Sequence, residues 1–372
     1  MYRKNITRRI FYVFYFDVTS CAIKFVHSYF EKLSTASVKN VVSDTILITQ
    51  FPFSSIEGVS SMLGSKGIPL NVKNKLCYVS FSDDRSHMNK TSDLKMIYYV
   101  TPTYPRPEQM PELTRLAHTL MHVPRIHWIV ADDQQQCSDN VINLLRRTGL
   151  PYTHIASPKP FVYKGTNFPR GVSNRRAALS WLRENVQEGI LYFGDDDNTV
   201  DLQLFDEIRN TKKVSMFPVG LIGDYGVSTP IVKDGKVVAF FDSWPGSRTF
   251  PVDMAGFAVN IEYLKPSASM PYIAGHEEDR FLVSLGIKLD EIEPLAANCS
   301  KVLVWHTKTA KFKKPSLKLN LQKFENLHKY QSFINLLKET SNLGMVNLNS
   351  STGTKAYIIR NRKQYDAAGG LL

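Results

Sequence analysis

Gly189-Ile190-Leu191-Tyr192-Phe193-Gly194-Asp195-Asp196-Asp197-Asn198-Thr199 is the stretch on which the fold turns. Four apolar residues read as a buried strand. Gly194 then frees the turn, and three consecutive carboxylates follow. Adjacent negative charges repel one another, so such a triplet is unlike a purely stabilising strand end. A divalent cation removes the repulsion, and hard oxygen ligands suit Mg²⁺ or Mn²⁺, which share their sites with substrate phosphates. Open α/β sheets bind ligands at strand ends of this kind. The competing reading is a solvated acidic loop.

The strands and helices before it build the sheet it belongs to. Residues 95–100 and 126–131 are strand-like, and 152–155 is a shorter strand. Helices fall between them. One carries Leu113, Leu116, Ala117 and Leu120 on one face, and a second carries Val141, Leu144 and Leu145 and stops at Gly149. A third, with Ser173 as its expected cap, runs through Trp181 and Leu182. Alternating strands and helices predict an α/β fold with a mainly parallel sheet. Neither a GxGxxG fingerprint nor a P-loop is present in the sequence.

The second half has a different texture. A strand is expected over 213–219, and a hairpin over 231–238 turning at Asp234-Gly235. An apolar strand is expected over 250–259 with Asp253 inside, and another over 301–305 that ends in His306-Thr307-Lys308. His276-Glu277-Glu278-Asp279 opens a helix, where acids are also favoured by the helix dipole.

Of 372 residues, 46 are Lys or Arg and 34 are Asp or Glu, a net charge of +12. The excess lies at the ends: residues 1–93 carry 12 basic against 7 acidic, 311–372 carry 11 against 3, and 94–310 carry 23 against 24. Basic tails without a nucleic-acid fold signature argue against a nucleic-acid partner. Cys21, Cys77, Cys137 and Cys299 are too scattered for a zinc site, and their spacing leaves the redox compartment open. Arg3, Lys4, Arg8 and Arg9 precede an apolar run over residues 10–26 that Asp17 and Lys24 interrupt. A membrane span needs about 20 apolar residues, so this is a weak signal-anchor or an amphipathic leader. Residues 30–93, rich in Ser, Lys and Asn, read as a stem. Asn5, Asn89, Asn298 and Asn349 stand in glycosylation sequons, of which Asn5 would lie on the cytosolic side of an anchor.

Side chains at the strand ends converge chemically. Tyr104 can stack on a flat base, Asp133 can bind a base or sugar, and Arg170 and Arg175 can clamp phosphates. Together with the triplet they point to a nucleoside diphosphate bearing a metal. Trp244 is either a sugar-stacking residue or core, Arg248 and Asp253 can bind hydroxyls, and one acid of 277–279 can act as a general base.

Several runs resemble the animal β-1,3-glucuronyltransferases. They are Pro102-Thr-Tyr104, Pro169-Arg-Gly171, Tyr192-Phe-Gly-Asp-Asp-Asp-Asn-Thr199, Pro251-Val-Asp-Met-Ala-Gly-Phe-Ala-Val259, Ala297-Asn-Cys-Ser300 and Val302-Leu-Val-Trp-His-Thr307. The resemblance covers about residues 94–310. It implies a GT-A type nucleotide-sugar transferase, with helices on both sheet faces and an acceptor-binding subdomain. The corresponding division is a cytosolic tail and anchor over 1–29, a stem over 30–93, a donor subdomain over 94–197, an acceptor and catalytic-base subdomain over 198–310, and a basic extension over 311–372. The implied reaction is inverting, Mn²⁺-dependent transfer of glucuronate from UDP-glucuronate to the 3-hydroxyl of a terminal galactose, by a single-pass type II protein of the Golgi membrane. A homodimer is one assembly the resemblance allows.

Residue by residue, the resemblance assigns Pro102, Thr103, Tyr104, Asp133, Arg170, Arg175, Asp195, Asp196, Asp197, His306, Thr307 and Lys308 to the donor. It gives Asp197 to the metal, Trp244, Arg248 and Asp253 to the acceptor, and Glu278 to proton abstraction. Two positions depart from the pattern: Lys308 stands where Arg is usual, and Ser228 where an acceptor-contacting Glu is common. They leave open a catalytically weak relative that binds UDP-sugar or glycan. A metal-dependent phosphodiesterase would need a second metal cluster, for which the sequence offers no convincing residues.

Overall fold

The computed structural model describes residues 74–85, 93–164, 168–244, 246–307, 309–311, 313–324, 331–360 and 363–366. The expected tail and anchor, most of the stem, and Lys308 lie outside these. Among the described residues no helix is long and apolar enough to cross a membrane.

Four parallel strands form the centre: β2 (Ile97–Thr103), β3 (Ile126–Asp132), β4 (Tyr152–Ala156) and β5 (Ile190–Phe193). They lie in an eight-stranded sheet ordered β1-β4-β3-β2-β5-β11-β7-β12. Its outer members are β1 (Lys75–Ser80), β7 (Val214–Met216), β11 (Phe257–Asn260) and β12 (Glu293–Pro294). β1 is antiparallel to β4, and β11 is antiparallel to both β5 and β7.

Alternation along each central strand feeds two cores. Ile126, Trp128 and Val130 point to one, and Ile129 and Ala131 to the other. Helices α1 (Gln109–Leu120), α2 (Asp139–Thr148) and α4 (Leu202–Ile208) cover the first face; α3 (Val172–Asn185) and α5 (Glu277–Leu285) cover the second. The fold is thus α/β with helices on both faces, as expected.

A five-stranded sheet, ordered β10-β9-β8-β13-β6, carries the second half. It contains β6 (Thr199–Val200), β8 (Val219–Gly220), β9 (Val227–Lys233), β10 (Lys236–Phe241) and β13 (Val304–Trp305). Asp234 and Gly235 turn the β9–β10 hairpin with φ of 52° and 74°, as the Asp-Gly pair predicts.

Several expectations are corrected. The strand expected over 213–219 is two strands in two sheets, divided at Phe217-Pro218, where proline has no N–H for a ladder. Ser173 lies inside α3; Gly171, at φ 74°, occupies the cap position. The strand expected over 250–259 begins only at Phe257, because Asp253 caps a 3₁₀ turn through the Ala255 amide. The stem assigned to 30–93 contains β1. That edge strand carries a bulge at Cys77, whose sulfur is disulfide-bonded to Cys137, 60 residues on. Within the basic extension, β14 (Leu317–Lys318) pairs with β15 (Thr354–Lys355), and Ile334 of α6 (Gln331–Asn342) packs on Leu319.

Gly194 is required for a different reason from the one expected. Its φ is not positive; a Cβ there would overlap the hydroxyl of buried Tyr99. Gly194→Ala is expected to destabilise the fold by about 1–3 kcal/mol through overpacking, read as a lower midpoint in thermal unfolding.

Candidate active site

The acidic triplet leaves the end of β5 and is closed into a turn by Asn198, whose side-chain oxygen accepts from the Asp195 amide at 2.8 Å. The three acids have three different surroundings. Asp195 pairs with Arg175 of α3. Asp196 is buried and held by both arms of Arg106, at 2.7 and 2.8 Å, with the Thr103 hydroxyl donating at 2.7 Å. Among the described residues no hydrogen bond or ion pair reaches the Asp197 carboxylate. Burial, then the neighbouring Asp195 and Asp196, push it up to about 6. Two arginines therefore offset two of the acids, and the repulsion that suggested a cation is concentrated on the third.

This arrangement suits a hard divalent ion that takes one carboxylate from the protein and the rest of its ligands from phosphate and water. Among the described residues, no cluster of three His, Cys, Asp or Glu side chains forms a ready-made cage.

Around the triplet lies a cavity of about 960 Å³. Pro102, Thr103, Tyr104, Asp133, Arg170, Arg175, all three triplet acids and His306 line it, so ten of the expected donor residues come together. Thr307 is adjacent, its hydroxyl bonded to the Asp197 carbonyl. The guanidiniums of Arg106 and Arg170 lie 4.5 and 5.4 Å from the Tyr104 ring centre. Asp133 accepts from the Lys159 amide at 2.6 Å, which orients its carboxylate. Arg106, Lys159 and Asn174 line the same cavity and were missed. Arg106 had a signal in the sequence: a guanidinium two residues beyond Tyr104, in a proline-stiffened loop at the same sheet edge as uncompensated acids.

The acids of 277–279 open α5. Burial above all, then Glu277 and Asp253, push Glu278 up to about 8, while Arg175 opposes them. Its neighbour Asp279 is structural: its buried carboxylate accepts from the amides of Thr249 at 2.7 Å and Phe250 at 2.8 Å, tying the preceding loop to the helix. Asp279→Ala is expected to cost about 3 kcal/mol, since two buried amides lose a charged acceptor; denaturant titration reads it.

Trp244, 58% exposed, is not core. Its indole lies over Gly275, three residues before Glu278, where an added Cβ would come within 3.1 Å. Arg248 is engaged in building this loop, pairing with Asp242 at 3.0 Å and with the Trp244 carbonyl. Asp253 caps its turn with one oxygen and bonds His306 Nδ1 with the other at 3.1 Å. That bond, against the cost of burial, raises His306 to about 9, so it is an imidazolium at neutral pH. The pair links a residue expected on the donor side to one expected on the acceptor side. Ser228 is 1% exposed, and its hydroxyl has no partner among the described residues.

The sequence profile of glycosyltransferase family 43 matches residues 116–310. The chain belongs to this family. It is 52% identical over 305 residues to galactosylgalactosylxylosylprotein 3-beta-glucuronosyltransferase S of Drosophila melanogaster, covering 80% of this chain and 74% of that protein. It is 44% identical over 243 residues to galactosylgalactosylxylosylprotein 3-beta-glucuronosyltransferase 2 of Rattus norvegicus, covering 62% and 74%. It is 42% identical over 265 residues to galactosylgalactosylxylosylprotein 3-beta-glucuronosyltransferase sqv-8 of Caenorhabditis elegans, covering 68% and 72%. The fly match is longer than residues 94–310, so likeness extends beyond the span first recognised. Among solved structures, Staphylococcus aureus TarS 1-349 is similar at 14% identity and a TM-score of 0.37, over 65% of this chain and 64% of that one, too slight to bear on function. The family 43 chain is a glycosyltransferase.

Proposed function

We propose that this glycosyltransferase moves glucuronate from UDP-glucuronate to the 3-hydroxyl of a terminal galactose on the proteoglycan linkage region, with inversion. The reading is carried by one observation: ten side chains from strand ends and helix starts, the acidic triplet among them, line a single cavity of about 960 Å³. The names of the relatives supply the sugar and the acceptor class.

In this mechanism Glu278 takes the proton of the acceptor hydroxyl as that oxygen attacks the anomeric carbon. The bond from the anomeric carbon to the diphosphate oxygen breaks on the opposite face, and its electron pair leaves with UDP. Arg170 and Arg175 hold the diphosphate, where negative charge grows. His306, kept cationic by Asp253, faces the glucuronyl carboxylate. Tyr104 and Asp133 seat the uracil, and Trp244 packs on the accepting sugar. Asp197 would hold Mn²⁺, which would add to the neutralisation of the leaving diphosphate.

The Cys77–Cys137 disulfide supports folding in an oxidising compartment. With the basic leader and the sequons, it supports a type II protein of the Golgi membrane whose catalytic region is lumenal. The test is transfer from radiolabelled UDP-glucuronate with Mn²⁺ to galactosyl-galactose, N-acetyllactosamine or no acceptor, with a chelator arm beside them. Transfer to one disaccharide that the chelator abolishes is expected. Binding of UDP-glucuronate without transfer to any acceptor would favour the weak relative, a reading for which the buried Ser228 leaves room.

A further inference from the structure

One aromatic contact joins the loop on the donor side to the segment that leads into α5. Tyr163 ends a 3₁₀ turn (Phe161–Tyr163) in the loop between β4 and α3. Tyr272 precedes α5 and is buried in the core beneath α3 and α5. The two rings stack face to face, with centres 3.8 Å apart and planes 8° from parallel. Neither ring lines the donor cavity. Such a stack fixes the distance and the tilt between the two segments that carry it.

From Tyr163 the contacts run to the cavity. Phe168 meets the Tyr163 ring edge to face, with centres 5.3 Å apart. The Phe168 carbonyl accepts from Lys159 Nζ at 3.1 Å, and the Lys159 amide is the donor that orients Asp133. Asp133, Lys159, Lys164, Phe168 and Arg170 all line the cavity. From Tyr272 the contacts run to α3 and α5. Arg176, next to the donor-cavity Arg175 on α3, lies 5.7 Å from the Tyr272 ring centre and donates to the Met270 carbonyl at 3.2 Å. The Ser269 amide donates to the Ser284 hydroxyl of α5 at 3.4 Å, and the His276 amide to the Ile273 carbonyl at 3.1 Å. The Tyr272 segment is therefore anchored to two helices. Among its described residues, the β4–α3 loop has a single 3₁₀ turn as regular structure, and it leans on that segment through one ring.

We infer that Tyr272 is a positioning residue for the nucleotide sugar: stacked on Tyr163, it holds the loop bearing Lys164, Phe168 and Arg170 in its binding arrangement, so that donor affinity depends on a side chain outside the cavity. The inference rests on the nucleotide-sugar reading of that cavity. The ring does the holding, so a phenylalanine at position 272 serves as well as the tyrosine, and an alanine at either end of the stack removes the same contact.

The full chain is tested by calorimetry with UDP and Mn²⁺ and by native-state hydrogen exchange. Tyr272→Ala should weaken UDP binding about threefold to tenfold, and Tyr163→Ala by the same factor. Because each removes the same contact, the double variant should match the single ones instead of multiplying their losses. Tyr272→Phe should bind UDP as the wild type does. Exchange should quicken across the stack from each change: over residues 161–164 in Tyr272→Ala, and over 273–276 in Tyr163→Ala. A lower melting temperature with UDP affinity unchanged would make the stack ordinary core packing and overturn the inference. Losses that multiply in the double variant would overturn it too, as would a Tyr272→Phe as weak as Tyr272→Ala, which would put the effect on the hydroxyl. If the wild type binds no UDP while exchange still quickens across the stack, the nucleotide reading fails and the positioning of the loop by Tyr272 stands.

Discussion

Glu278→Gln is expected to lower transfer about 10³-fold while leaving UDP binding by calorimetry near the wild-type value, because general bases contribute about 10²–10⁴-fold. The amide keeps the shape and cannot accept the proton. The pH dependence is the sharper part. With its carboxyl raised to about 8, Glu278 is protonated in most molecules at pH 7 and must ionise to act. The wild-type rate should therefore climb about tenfold per pH unit below 8 and level off above it. In Glu278→Gln the residual rate should lose this limb.

The same group leaves a mark on stability, with a defined sign. An acid raised in the folded state binds its proton more tightly there than in the unfolded chain. Its contribution is full below the ordinary carboxylate range and is lost as pH rises through about 8. Wild type should lose stability over that window relative to Glu278→Gln, so the inactive variant should unfold at the higher temperature at pH 8. Equal melting curves at every pH would show that Glu278 lies in ordinary solvent and is no tuned base. Stability given up at a catalytic group is a familiar trade.

The fold was legible wherever local pattern and tertiary packing agree. β3, β4 and β5 follow from apolar runs, and α1 and α2 from spaced leucines that face one core. It was least legible where one residue's geometry or a distant contact decides. Phe217-Pro218 splits a run that looks continuous. β1 is an edge strand with Leu76 and Tyr78 largely exposed, so it lacks a buried face to advertise it. The Cys77–Cys137 bond joins residues that nothing local relates. In the site, ten donor residues could be gathered because they stand at strand ends or helix starts, whose location topology dictates. The Asp253–His306 bond could not, since it joins a turn to a strand end 53 residues on. Nor could the division of labour within the triplet, which depends on where two arginines reach.

That division makes Arg106 the second residue of large expected effect. Its guanidinium grips Asp196 with two bonds and covers Tyr104, so one side chain serves both the acid and the aromatic at the cavity floor. Arg106→Ala leaves a buried carboxylate with only the Thr103 hydroxyl, next to an Asp197 already raised to about 6. Removing one partner of a buried pair costs about 3–5 kcal/mol, and the open cavity places this case at the lower end. The expected result is a loss of about 3 kcal/mol in metal-free buffer and a clear rise in the KM for the nucleotide sugar. Arg106→Lys should recover only part of either, since a point charge cannot span both oxygens. Adding millimolar Mn²⁺ distinguishes electrostatic from packing origins: with two neighbouring acids uncompensated, the alanine variant should gain more thermal stability from the ion than wild type does. If Mn²⁺ raises both melting temperatures equally, Asp196 is not part of the charge balance around the metal-binding carboxylate, and the role given to Arg106 is wrong.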